Sequence, residues 1–174
     1  MATERRLHIG GKEPKAGWEI VDIYDAPHVD HKRNANDLSI FEDGTFVEVY
    51  ASHVLEHFEY RFDLVPTLKE WRRVLTDGGT LYVSVPNLGT LCKLFIDDDT
   101  TPQESFDIMR MMFGGHMTEH DFHLVGLDPA LLADFLTQAG FRNIRKVDSF
   151  DLFDDTSANR FKGTLISCNM IAEK

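Results

Sequence analysis

FVEVYASHVLEHFEYRFDLVPTLKEWRRVLTDGGTLYVSVPN, residues 46–87, is the stretch that decides the fold. Phe46 to Ala51 is β-branched and aromatic, which predicts a strand. Ser52 is placed to cap a helix beginning near His53, with Glu56 where a capping-box acid would lie. From Asp63 to Leu75 the apolar residues Leu64, Leu68, Trp71, Val74 and Leu75 recur at helical spacing, and Asp77-Gly78-Gly79 is expected to end that helix. Leu81 to Val85 is the most strand-like run in the chain, closed by Pro86-Asn87. A strand, a helix and a second strand in this order predict parallel neighbours in an α/β sheet.

The same alternation extends outward. Arg6 to Ile9 reads as a strand stopped by Gly10-Gly11, and Gly11 to Gly17 reads as loop. Trp18 to Ile23 is a second strand. Asp25 to Asp37 is irregular with room for one short strand, and Ser39 to Thr45 is rich in turn residues. Downstream, Leu88 to Ile96 and Gln103 to Phe113 look helical, separated by Asp97-Asp98-Asp99. Gly114 to Gly126 is a loop dense in histidine. Asp128-Pro129 opens a helix, Asp as N-cap and Pro in the first turn, that runs to Ala139 with Gly140 after it. Phe141 to Val147 and Thr164 to Ile171 complete the chain as two strands, expected to pair antiparallel. The expected architecture is α/β: one domain over residues 1–174, a Rossmann-like, mostly parallel twisted sheet flanked by helices on both faces, with a C-terminal antiparallel pair.

Composition narrows the function classes. Hydrophobic residues make up 43% of the 174, enough for a core without covalent staples, and 13 phenylalanines predict a core or pocket rich in rings. The formal charge of -11, with 29 acidic and 18 basic residues, disfavours nucleic acid and anionic membrane surfaces as partners. Cys92 and Cys168 lie far apart and form no C-x-x-C pair, so neither a disulfide framework nor a thiolate zinc site is expected. The start, Met1-Ala2-Thr3-Glu4-Arg5-Arg6, has no apolar signal core, and no apolar run approaches membrane-spanning length. The expected location is the cytoplasm.

In open α/β sheets ligands bind at the carboxyl ends of the strands, near the point where strand order reverses. The predicted strand ends carry Gly10-Gly11, Asp22, Asp37, Ser52-His53 and Pro86-Asn87, each small, polar or charged. A glycine pair permits close backbone approach to a ligand, and equally makes an ordinary turn. A carboxylate at Asp22 can accept both ribose hydroxyls of a nucleoside, or stand solvated at a strand end. Asp37 could accept from an adenine amino group, or cap local amides.

Taken together, Leu7-His8-Ile9-Gly10-Gly11, Gly17-Trp18, Val21-Asp22-Ile23, Tyr50 to His57, Glu70 to Leu75, Asp77-Gly78-Gly79, Leu81 to Asn87 and Ala139-Gly140-Phe141 resemble the type 11 class I S-adenosylmethionine-dependent methyltransferases. The resemblance covers nearly the whole chain and is most specific from Tyr50 to Asn87. It is nearest to a compact subgroup associated with polysaccharide and lipopolysaccharide pathways, in which little or no helix separates the first two strands. The resemblance implies S-adenosylmethionine as cofactor. It implies Gly10 and Gly11 beside its methionine portion, Asp22 on the ribose, and Asp37 and Leu38 at the adenine. Ser52 and His53 would lie beside the sulfonium, and Asn87 would face the acceptor. The chain departs from the family at Lys12, where a third position of Gly-x-Gly is usual, and at Phe46-Val47, where Phe-Asp is common.

His116, His120 and His123 crowd one loop. With Asp121 they could hold a divalent ion if the segment were helical, but Gly114-Gly115 argues for loop, and no metal is assigned. A histidine here can serve as general base, with His123 and His53 as the catalytic candidates and His116 beside the acceptor; a polar lid is the alternative. His57 is read as structural. Phe106, Met109, Met112 and Phe113 are read as core or pocket wall. The expected function is methyl transfer to a small-molecule acceptor, a sugar or sugar-linked metabolite. The rival is a catalytically weak or inactive module of the same fold acting through a partner subunit, and a homodimer is compatible with either. Gly-x-Gly-x-x-Gly is absent, which disfavours a dehydrogenase-like domain.

Overall fold

The structure is a computed structural model and describes residues 4–174; Met1 to Thr3, part of the segment read above as lacking a signal core, lie outside the described residues. The chain runs β1 (Arg6–Ile9), β2 (Trp18–Asp22), β3 (His31–Lys32), β4 (Phe46–Ser52), α1 (Leu64–Val74), β5 (Leu75–Pro86), α2 (Leu88–Phe95), α3 (Pro102–Phe113), α4 (Pro129–Gln138), β6 (Arg142–Val147), β7 (Arg160–Phe161), β8 (Thr164–Leu165) and β9 (Ser167–Glu173). Single 3-10 turns lie at Leu55–His57 and Thr156–Ala158. The main sheet has the order β3-β2-β1-β4-β5-β9-β6, and β7 and β8 form a separate ribbon. Strands β1 to β5 pair in parallel, whereas β9 runs antiparallel to both β5 and β6. Strand order reverses between β1 and β4, which opens a crevice at their carboxyl ends.

One face of the sheet is apolar. Leu7, Ile9, Val49, Ala51, Leu81, Val83 and Val85 alternate along their strands and pack with Leu64, Leu68, Trp71 and Val74 of α1 and Leu132 and Leu136 of α4. Trp71 is fully buried, and its indole N–H donates to the Ala35 carbonyl at 2.7 Å. That bond ties the main core helix to the loop after β3.

The other face differs from the expectation of helices on both sides. Among the described residues no helix joins β1 to β2, β2 to β3 or β3 to β4. The loop from Gly11 to Gly17 is too short to hold one and still return parallel. His8, Trp18 and Tyr50 instead form an aromatic layer under Phe153, whose ring centroid is 4.1 Å from that of His8 and 4.7 Å from that of Tyr50. The strap from Phe150 to Ala158 is pinned by the Tyr50 hydroxyl, which donates to Asp155 at 2.8 Å, and by the Asn169 amide, which donates to the Ser157 carbonyl at 3.0 Å.

Four local expectations also change. No helix begins at His53, whose φ of 55° is left-handed, and only the 3-10 turn Leu55–His57 forms there. Helix α1 ends at Val74, and Leu75 starts β5 directly, so Asp77-Gly78-Gly79 lies within a strand. The run Thr164 to Ile171 is split, its first part pairing with β7 and only the stretch from Ser167 joining the main sheet. Phe106 and Phe113 are exposed, and the buried residue of α3 is Ile108. No described helix is long and apolar enough to cross a membrane.

Candidate functional site

A cleft of about 720 Å³ opens at the reversal point, a volume typical of small-molecule sites. Its floor is built from strand ends. Gly10 follows β1 with φ of 72°, and its amide donates to the Val21 carbonyl at 2.8 Å. A Cβ at Gly10 would stand 2.7 Å from Val54 Cγ2, so the backbone passes where no side chain fits. Gly11 does not line the cleft; it packs against His8, where a Cβ would fall 2.7 Å from the ring.

Asp22, the last residue of β2, lines the cleft, and its Oδ1 accepts from the Tyr24 amide at 2.8 Å. Among the described residues its Oδ2 has no partner. Across the reversal point, Ser52 and His53 follow β4. The His53 amide donates to the Ser84 carbonyl at 2.8 Å, and its ring lies 3.2 Å from Ser52 Oγ and 3.3 Å from Ser167 Oγ. Burial pulls the His53 pKa down to about 4, so it is neutral at physiological pH. His8 beneath is likewise lowered to about 4 by burial.

Asp37 and Leu38 are not in the cleft. Asp37 accepts from the Ser39 amide and hydroxyl at 3.2 and 2.6 Å, and these bonds hold its carboxyl below the usual range. Leu38 is buried in the core, its amide donating to Glu70 and its carbonyl accepting from Arg73. The cleft is lined at this end by Arg33, Asn34 and Ala35. The bond from Trp71 fixes the Ala35 carbonyl, and the Ala35 amide meets no acceptor among the described residues. The sequence offered Asp37 as a strand-end carboxylate and the resemblance added Leu38; the tertiary tie from Trp71 instead holds Asn34-Ala35 at the cleft.

The remaining wall comes from distant segments. Lys12 and Glu13 line it from the β1–β2 loop, and Phe153 to Thr156 from the strap. The histidine loop reaches the rim through Thr118, His120 and Asp121, and the Tyr24 hydroxyl lies 2.7 Å from Thr118 Oγ1. His116 is outside the cleft: its Nε2 donates to the Phe113 carbonyl at 2.8 Å, and the ring stacks on Phe122 at 4.1 Å. Asn87 is also outside. It is buried as the N-cap of α2, accepting from the Thr90 amide at 3.2 Å. His123 lies behind His57, their ring centroids 4.9 Å apart, and only His57 of the two lines the cleft. Of the residues singled out in the sequence, the cleft therefore gathers Gly10, Asp22, Ser52 and His53. The strap residues Phe153 to Thr156 carried no sequence signal of their own, because they meet β1 only after the whole sheet has closed.

An S-adenosyl ligand fits these donors and acceptors. Along the neighbouring strand ends, the Ala35 amide follows β3, the Asp22 carboxylate ends β2 and the close-approach Gly10 follows β1, the amide and one carboxylate oxygen being unengaged among the described residues, and Lys12, Asp154 and Asp155 line the same cleft.

Residues 22–83 match the family model described as "Methyltransferase domain". No curated protein sequence matches the chain significantly. Among solved structures, the chain is similar to a SAM-dependent methyltransferase from Archaeoglobus fulgidus, with 18% identity, a TM-score of 0.60, and coverage of 99% of this chain and 87% of that one. It is similar to the trans-methyltransferase CalH in complex with SAH, with 22% identity, a TM-score of 0.58, and coverage of 98% and 51%. It is also similar to the CurJ carbon methyltransferase, with 15% identity, a TM-score of 0.58, and coverage of 99% and 49%. The chain thus spans about half the length of the CalH and CurJ structures. At these identities the likeness is one of fold. With strand order β3-β2-β1-β4-β5-β9-β6 and one antiparallel strand, the chain has the fold of the class I S-adenosylmethionine-dependent methyltransferases, and residues 22–83 match the model of a methyltransferase domain.

Proposed function

We propose that the chain transfers a methyl group from S-adenosylmethionine to a small-molecule acceptor, with a sugar or sugar-linked metabolite as the acceptor class. The observation that carries this reading is Asp22: a carboxylate at the end of β2, one oxygen of which has no partner among the described residues, lining a cleft of about 720 Å³ at the reversal point. In the proposal Asp22 accepts from the ribose hydroxyls, and Ala35 N–H with the Asn34 side chain meets the adenine. Gly10 lets the backbone approach the cofactor. Lys12 pairs with the methionine carboxylate, and Asp154 or Asp155 with its ammonium.

The sulfonium supplies a methyl carbon that needs no further activation. Bound here, the cofactor would give up that methyl group to the acceptor atom and leave as a neutral thioether. The residues of the chain therefore act mainly by alignment and by excluding water. Neutral His53, beside the expected methyl position, can accept an acceptor proton. The rim residues Tyr24, Thr118 and His120 are where the acceptor would enter.

Lys12 also supports a second reading, a module that binds without turnover, because it lines the cleft at the position where the family usually has glycine. Calorimetry of S-adenosylmethionine on the purified protein tests the first point. Wild type is expected to bind, and Asp22→Ala to weaken binding by about 1–3 kcal/mol, the scale for unpairing buried polar partners. Absence of binding at millimolar cofactor overturns the enzyme reading for this chain. Binding without turnover across a panel of hydroxylated acceptors selects the module.

A further inference from the structure

Behind the cleft, Glu56 presents an unusual arrangement. It sits in the 3-10 turn after β4, it is 1% exposed, and among the described residues neither carboxylate oxygen has a hydrogen-bond partner. An unpaired buried carboxylate is costly by several kcal/mol unless a cation or proton offsets it. Two imidazoles face it. His123 Nε2 is 3.9 Å from Glu56 Oε1, and one donor atom each from Glu56, His57 and His123 lie within 4.8 Å of one another.

We propose that Glu56, His57 and His123 form a binding site for a divalent first-row transition ion, adjoining the cleft through His57. The backbone holds the set together from both sides. The Leu124 amide donates to the Glu56 carbonyl at 2.8 Å, and the His123 amide to the Phe113 carbonyl at 3.0 Å. His57 Nδ1 donates to the Phe122 carbonyl at 3.0 Å. That bond fixes the tautomer and leaves Nε2 with its lone pair, the orientation that metal-binding histidines commonly receive from a carbonyl.

Two imidazoles and one carboxylate suit zinc or a related ion with exchangeable positions left over. Donors on one zinc lie about 3.4 Å apart for bonds of about 2.1 Å, so side-chain shifts of about an ångström close the set. The other residues of the histidine loop are engaged elsewhere: His116 with Phe113 and Phe122, and Asp121 accepting from the Met117 amide at 3.1 Å. The site is therefore not the helical His116–His120–His123 set that the spacing suggested. The inference is independent of methyl transfer.

The test uses tag-free protein stripped with chelator. Zinc binding is measured by calorimetry, and cobalt binding by visible d–d absorption. One equivalent is expected to bind. Glu56→Gln and His123→Ala should each weaken it at least ~100-fold, while His116→Ala and His120→Ala bind as wild type. Far-UV circular dichroism and urea midpoints in chelator establish that each variant folds; if His123→Ala does not, His123→Gln replaces it. No saturable binding, equal binding by the Glu56 and His123 variants, or loss in the His116 or His120 variants overturns the site. A wild type that binds nothing while Glu56→Gln raises the urea midpoint overturns it in favour of a protonated, purely structural carboxyl. Cofactor calorimetry on the same stripped protein keeps this result separate from the methyl-transfer reading.

Discussion

Gly10→Ala should destabilise the protein by an amount that depends on Val54. Two effects add. Gly10 has φ of 72°, and a residue with a Cβ costs about 1–2 kcal/mol in the left-handed region. The new Cβ would also stand 2.7 Å from Val54 Cγ2. Valine is stiff at χ1 and cannot swing aside, so the clash adds an overpacking cost of about 1–3 kcal/mol. Reduced freedom of the unfolded chain offsets about 0.4–1 kcal/mol. The net loss should be about 2–4 kcal/mol, read as a shift in urea midpoint with unchanged slope. In a Val54→Ala background the clash vanishes and the backbone strain stays, so the added loss should fall to about 1 kcal/mol. An equal loss in both backgrounds refutes the close approach of Gly10 to Val54. A loss below about 0.5 kcal/mol in the wild-type background refutes the left-handed conformation as well.

Histidine neutrality sets an acid limit. His8 and His53 have folded pKa values of about 4 against an ordinary 6.5, so their contribution is full above pH 6.5 and is lost as pH falls toward 4. Urea midpoints measured across that window should fall with pH, and His8→Phe should remove one histidine's share, at most ~1.4 kcal/mol per pH unit. Trp71→Phe strands the Ala35 carbonyl and shrinks a buried side chain, so stability should drop by about 2–3 kcal/mol, with weaker S-adenosylmethionine binding by calorimetry. Asn87→Ala should lose about 1 kcal/mol of thermal or urea stability as a lost N-cap, and leave cofactor affinity unchanged; reduced affinity would contradict its role as a cap.

Residues 46–87 determined the fold class by themselves, because strand period and helix period are local properties that survive without tertiary contacts. Gly10, Asp22, Ser52 and His53 were legible as residues of the cleft for a related reason: residues at or just past the carboxyl ends of strands beside the reversal point of an open α/β sheet border the crevice. Tertiary structure decided what depends on contacts between distant segments. Asn34-Ala35, not Asp37-Leu38, lines the cleft because Trp71 pins the Ala35 carbonyl and Arg73 and Glu70 occupy the backbone of Leu38. The second sheet face is roofed by Phe153 on its strap, not by a helix, because the β1–β2 loop is too short and the covering ring arrives from the far end of the chain. His123 points at Glu56 because backbone bonds from residues 123 and 124 dock its loop on α3 and on the turn after β4. Periodicity reports which way a side chain faces within its own element; it carries no information about which distant residue it will meet.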